Sequence, residues 1–157
     1  MSVLVENEGK TYVAMVVDAP GDFVSPFPGA LFPCMIWDHD GRFTEAQRGE
    51  VARQLLQSGC RYAVCGGRSC GAWHGTVDEE FVQQHLDDPD ETLDDVHVMT
   101  TSHAEESPDE VAFFFVLNTN FGDHYFEHYL VLHVGDGQAR EEVDAAVRRY
   151  ALNEYAV

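Results

Sequence analysis

The stretch CRYAVCGGRSCGAWHGTVD, Cys60 to Asp78, decides how this chain is read. Tyr62, Ala63 and Val64 form an apolar run that stops at Gly66-Gly67, and a small polar turn leads to Trp73 near the start of a helical pattern. Strand, glycine turn and helix make the unit with which α/β domains present chemistry at strand ends.

The neighbouring segments repeat that alternation. Upstream, Thr44 with Gln47 forms a capping box, Val51, Ala52, Leu55 and Leu56 share one helical face, and Gly59 closes the helix. Before it, Cys34 to Trp37 reads as a strand that ends in the polar turn Asp38-His39-Asp40-Gly41. Thr11 to Ala19 is a buried strand, followed by a proline-rich loop from Pro20 to Pro33. With no helix between them, these two strands suit an antiparallel arrangement.

Downstream, Thr76 with Glu79 repeats the capping-box pattern, which predicts a break at Gly75 and a helix from Val77 to about Leu86. Val96 to His103 reads as a strand. Ser107-Pro108-Asp109-Glu110 starts a helix over the apolar run VAFFFVL. Tyr129 to Val134 is a further strand, and Val143, Ala146, Val147, Tyr150 and Ala151 mark a final amphipathic helix. The fold class is α/β: one domain, residues 1–157, a three-layer sandwich whose mostly parallel or mixed sheet has about five strands and carries helices on both faces.

Charge narrows the function classes. The chain has 28 acidic against 9 basic residues, a formal net charge of −19, and no Lys or Arg between Arg68 and Arg140. Nucleic acid and anionic membranes are poor partners for such a surface. No apolar run approaches the roughly 18 residues of a membrane span. The N-terminal segment lacks the basic start of a signal peptide. Cys34, Cys60, Cys65 and Cys70 are read as reduced thiols, and a cytoplasmic location follows.

Four segments are expected to meet beyond the strand ends: Asp38 to Asp40, Gly66 to Cys70, Thr100 to Glu106, and His133 to Asp136. Gly67-Arg68-Ser69-Cys70-Gly71 matches the serine hydrolase elbow G-x-S-x-G, but a plain tight turn between strand and helix suits it better. A helix N-terminus beside Arg68 would activate Cys70, and His74 lies one helical turn on. The catalytic candidates are Cys70 or Ser69 as nucleophile, His103 as base (His133 being a second choice), and Glu106 or Asp78 orienting it. Arg68, Trp73, Asp78, Thr101 and His103 are the ligand-binding candidates. Cys60, Cys65, Cys70 and His74 have poor zinc spacing, since alternation along one strand would send Cys60 and Cys65 to opposite faces. Asp38, His39, Asp40 and His103 suit an exposed polar turn better than a metal site. No metal and no cofactor is expected.

Cys70-x-x-Trp73-x-x-x-Val77-Asp78, Val98-Met99-Thr100-Thr101-x-His103 and Glu106-x-Pro108-x-Glu110-Val111 together resemble a family of small bacterial proteins catalogued only as a domain of unknown function. The likeness runs from about Thr44 to Gly135. His74-Gly75 and Ser102 depart from its pattern, where acidic residues and a second tryptophan are expected. The resemblance implies a bacterial source and assigns no residue a role.

The leading functional expectation is a non-enzymatic interaction protein, of the immunity or defence-regulator kind. It would bind a basic protein through Asp87, Asp88, Asp90, Glu91, Asp94 and Asp95. The alternative is a small enzyme or ligand-binding domain with a Cys/Ser–His site at the strand ends.

Overall fold

The computed structural model describes residues 1–87, 97–120 and 125–154. Its strands are β1 (Ser2–Asn7), β2 (Lys10–Val17), β3 (Phe32–Asp38), β4 (Cys60–Gly67), β5 (Met99–Ser102) and β6 (His128–Val134). Its helices are α1 (Glu45–Ser58), α2 (Cys70–Gln84), α3 (Pro108–Leu117) and α4 (Ala139–Ala151), with a 3-10 turn at Pro20–Asp22. The strands form one sheet in the order β1-β2-β6-β3-β4-β5. β1 is antiparallel to β2, and every other pairing is parallel. The fold is a three-layer α/β sandwich on a mixed, mostly parallel sheet.

Alternation along the central strands builds two cores. Cys34, Ile36, Ala63, Cys65, Leu130 and Leu132 pack against Val51 and Leu55 of α1 and Trp73 and Val77 of α2. Met35, Trp37, Tyr62, Val64, Tyr129 and Val131 pack against Val111 and Phe115 of α3 and Val143 and Val147 of α4. Because both faces are covered, these strands are apolar throughout, as parallel strands must be. Each large side chain removed from water contributes roughly 1.5–3 kcal/mol.

Caps set the helix starts. Thr44 Oγ1 accepts from the Gln47 N–H at 3.2 Å, and Gln47 Oε1 accepts from the Thr44 N–H at 2.8 Å. Ser107 Oγ accepts from the Glu110 N–H at 3.2 Å, which makes VAFFFVL a helix where its apolar pattern alone would also suit a strand.

Four local expectations are corrected. β1 is an added strand, joined to β2 by Glu8 and Gly9 at φ 54° and 79°, the two positive values of a type I′ hairpin turn. β2 and β3 are not an antiparallel pair. β6 lies between them, parallel to both, and the antiparallel strand is β1. α2 runs unbroken through Gly75, which is exposed, and the Thr76 hydroxyl donates to the Ala72 carbonyl at 2.8 Å instead of capping a new helix. Cys60 and Cys65 share one core, because the register skips Arg61 between the Phe32–Cys60 and Pro33–Tyr62 pairs. This bulge restores Cys60 to the α1–α2 face and places Pro33 where the ladder is already irregular.

The β1 edge is blunted. The ladder skips Leu4, whose carbonyl instead accepts from Arg148 Nε at 3.2 Å, and Asn7 Nδ2 donates to the Ala151 carbonyl at 2.9 Å. No helix among the described residues is long and apolar enough to cross a membrane.

Burial raises the thiols of Cys34 and Cys65, and pushes Cys60 up to about 12. Native protein at pH 8 should therefore leave these three unreactive toward a disulfide reagent. Full reaction should follow only on unfolding in urea, and mass mapping of the labelled peptides checks it.

Candidate functional site

Strands β2 to β6 run the same way, so their carboxyl ends share one edge. All four segments named from the sequence reach it, but they divide into an inner and an outer group. The inner group lies where β3 and β6 adjoin. The chain leaves β3 for α1 on one face and leaves β6 for α4 on the other. Adjacent strands whose connections diverge to opposite faces open a crevice, the usual ligand position in α/β sheets.

Asp38 closes the base of this crevice. It is 1 % exposed, and one carboxylate oxygen accepts from Trp73 Nε1 at 2.9 Å. The other accepts from the backbone N–H groups of Gly41 at 2.8 Å and Asp40 at 3.3 Å. Gly67, at φ 76°, turns the β4 exit so closely over Asp38 that a Cβ there would meet its backbone carbonyl. The same carbonyl accepts from the Arg68 N–H at 2.8 Å.

Above Asp38 lies a chain of three side chains. His39 Nε2 is 2.8 Å from His133 Nδ1, and His133 Nε2 is 2.8 Å from Asp144 Oδ1. His133 is fully buried, and the Asp144 side chain is 14 % exposed. Register sets Trp37 beside His133 across the β3–β6 pair. Burial, then the neighbouring His133, lowers the His39 pKa from its ordinary value. The Gly137 N–H, and more weakly Arg140, hold the Asp136 carboxyl below its usual range. Asp18, Asp40, Arg42, Phe43, Gln47 and Gly135 line an adjoining hollow of about 240 Å³.

The outer group lies at β5. His103 is buried, with Nδ1 2.8 Å from Glu106 Oε2 and Nε2 2.8 Å from the Thr101 hydroxyl. Both ring nitrogens of His103 are thus engaged, one by Glu106 and the other by Thr101. Cys70 sits in the α1–α2 core, and its Sγ accepts from the Ser102 hydroxyl at 3.6 Å. Ser69 and Arg68 are exposed, Ser69 as a left-handed N-cap at φ 56°. Asp78 accepts from the Thr100 hydroxyl at 2.6 Å and lies 3.0 Å from His74 Nε2. Trp73 is fully buried, an anchor between α2 and β3 with no face open to a ligand. Of the acidic candidates, Asp87 is exposed, while Asp88, Asp90, Glu91, Asp94 and Asp95 lie outside the described residues.

Asp144 was not singled out in the sequence, yet it carried a signal. It stands at i, i+3 and i+7 with Val147 and Ala151, so it belongs to the buried stripe of α4. An acid in such a stripe needs a partner. His133, an imidazole within the apolar strand YLVLHV, is that partner.

The fold and crevice define a small doubly wound α/β protein with a histidine-bearing switch point. The chain matches the model of the family described as Domain of unknown function (DUF7684) over residues 13–150, and it belongs to that family. The match extends beyond the Thr44 to Gly135 likeness on both sides. No curated protein and no solved structure gave a match.

Two outcomes follow. Trp73→Phe removes a buried donor from Asp38 and should cost about 1.5–3 kcal/mol in urea unfolding. Because the His39 pKa is lowered in the fold, the unfolded chain binds more protons below its ordinary value near 6.5. That part of the stability is whole above about pH 6.5 and declines as pH falls toward the folded value. His39→Gln should flatten this component in urea titrations across that window.

Proposed function

We propose that this chain is an acidic cytoplasmic interaction protein, of the immunity or defence-regulator kind, that captures a basic protein partner. The observation that carries this reading is the internal use of its cations. Arg42 pairs with Asp40 at 3.0 Å, Arg53 with Glu80 at 3.4 Å, Arg140 with Asp136 at 3.4 Å, and Arg149 with Asp109. Arg48, Arg61 and Arg148 donate to the backbone carbonyls of Phe43, Cys60 and Leu4. With 28 acids against 9 bases, most carboxylates have no cation left to screen them. A surface of this kind speeds encounter with a basic partner and repels anionic ones.

The Cys/Ser–His alternative has weaker support. His103 spends both nitrogens on Glu106 and Thr101, and the Cys70 thiol packs in the core beside Ser102.

The test uses the partner recovered from the native host by affinity capture, with association followed by stopped flow at low and high salt. Wild-type association should slow steeply with salt. The variant Asp87→Asn, Asp88→Asn, Asp90→Asn, Glu91→Gln should associate about tenfold more slowly at low salt and show a flatter salt dependence. Unchanged kinetics in the variant would contradict acidic docking.

A further inference from the structure

The proline-rich loop between β2 and β3 is anchored from within. Phe23, Phe27 and Phe32 are buried, and the Phe27 ring centroid is 4.9 Å from that of His128 and 5.5 Å from that of Phe32. Ser25 Oγ accepts from the Phe27 N–H at 3.2 Å, and the Phe27 carbonyl accepts from the Ala30 N–H at 3.1 Å. Between these anchors Val24 and Leu31 stay in solvent, 67 % and 42 % exposed. Single exposed apolar side chains are ordinary, but these two line one groove of about 520 Å³.

The facing wall is the end of α1, with Ser58 and Gly59, followed by Arg61 of β4. Gly59, at φ 116°, lies so close to the loop that a Cβ there would meet the Ala30 carbonyl. The Phe32 N–H donates to the Gly59 carbonyl at 3.0 Å. Both walls are thus tied together before anything binds, which lowers the ordering cost of a ligand.

Charge sets this groove apart. The groove along α4, the hollow over Asp40, and the hollows at the β1–β2 turn and between α1 and α2 each carry two or three carboxylates. Among the described residues no carboxylate lines the groove of Val24 and Leu31, and its charged residue is Arg61. Arg61 Nη1 donates to the Cys60 and Leu56 carbonyls at 2.9 and 3.3 Å, which closes the end of α1. Its Nε is buried without a hydrogen-bond partner, and Nη2 has none among the described residues. Burial pulls the Arg61 pKa down, and no carboxylate acts to restore it. In a chain of formal net charge −19, this part-buried guanidinium still lacks an anion.

We propose that this groove binds a small monocarboxylate with an apolar tail, its carboxylate on Arg61 and its tail along Val24, Pro28 and Leu31. The planar guanidinium matches a carboxylate in shape and charge. The tail takes the exposed apolar side chains out of water. The net charge of the protein opposes a dianion about twice as strongly as a monoanion, which disfavours a phosphate monoester. A neutral amphiphile would leave Arg61 without its counter-charge. The groove lies at the amino ends of β3 and β4, the sheet edge opposite the histidine crevice, and its ligand is independent of any basic protein partner.

The test is titration of the full-length protein with sodium octanoate, followed by 1H–15N correlation NMR and calorimetry. The backbone amides of Leu31, Ser58, Gly59 and Arg61 should shift together and saturate. Octanoate should bind about tenfold more tightly than 1-octanol, which lacks the charge, and than butanoate, which lacks the tail. Arg61→Gln should weaken octanoate about tenfold. Because Arg61 also closes α1, the second variant is at an exposed position. Val24→Asp sets a carboxylate in the groove and should weaken octanoate about tenfold, whereas Val24→Asn should weaken it far less. Equal affinity for octanoate and 1-octanol would overturn the proposal. So would wild-type affinity in Val24→Asp, shifts confined to other surfaces, or no saturable shift at millimolar octanoate.

Discussion

The hydrogen bond from the Trp73 indole to the buried Asp38 carboxylate is the constraint on which the site edge depends. Taking a carboxylate out of water is costly unless donors surround it. Asp38 meets three of them: the indole of α2 and two N–H groups of its own loop. Its backbone carbonyl takes a fourth, from Arg68 at the exit of β4. One residue at the end of β3 therefore ties together β4, α2 and the following loop. His39 is the next residue, so its ring is aimed by a turn that has little freedom.

The second consequence comes from topology. β6 inserts between β2 and β3, although it is the last strand in the chain. That insertion puts His133 beside β3 and delivers α4, with Asp144, to the opposite face from α1 and α2. A buried imidazole is tolerated because each of its nitrogens has a partner. The outer group at β5 solves the same problem locally: Thr101 and Glu106, two and three residues from His103, engage its two ring nitrogens. The inner chain instead joins three separate segments: the turn after β3, β6 and α4.

Much of the fold was legible because it rests on local signals. Thr44 and Ser107 announce α1 and α3 through their caps, and the apolar runs of β3, β4 and β6 announce buried parallel strands. What escaped was non-local or weak. β1 is an edge strand with three consecutive apolar residues and a polar end, which gives no clean alternation. The bulge at Arg61 depends on the pairing with Phe32 and Pro33, and strand order cannot be seen in any window. Gly75 stayed helical because it faces solvent, where the helix around it carries the cost. At the site, Asp38, His39 and His133 were visible as parts of converging segments. Their grouping with Asp144 needed the packing of α4, and the burial of Cys70 in the α1–α2 core beside Ser102 likewise depends on contacts distant in sequence.

The most direct measurement is long-range 1H–15N correlation NMR of the histidine ring nitrogens in uniformly labelled protein at pH 7.5. The hydrogen-bonded chain predicts that His133 and His39 both carry their proton on Nε2, with a bare Nδ1 on each, and that a through-bond coupling links His39 Nε2 to His133 Nδ1. A proton on Nδ1 of His39, or no coupling between the two rings, would contradict it.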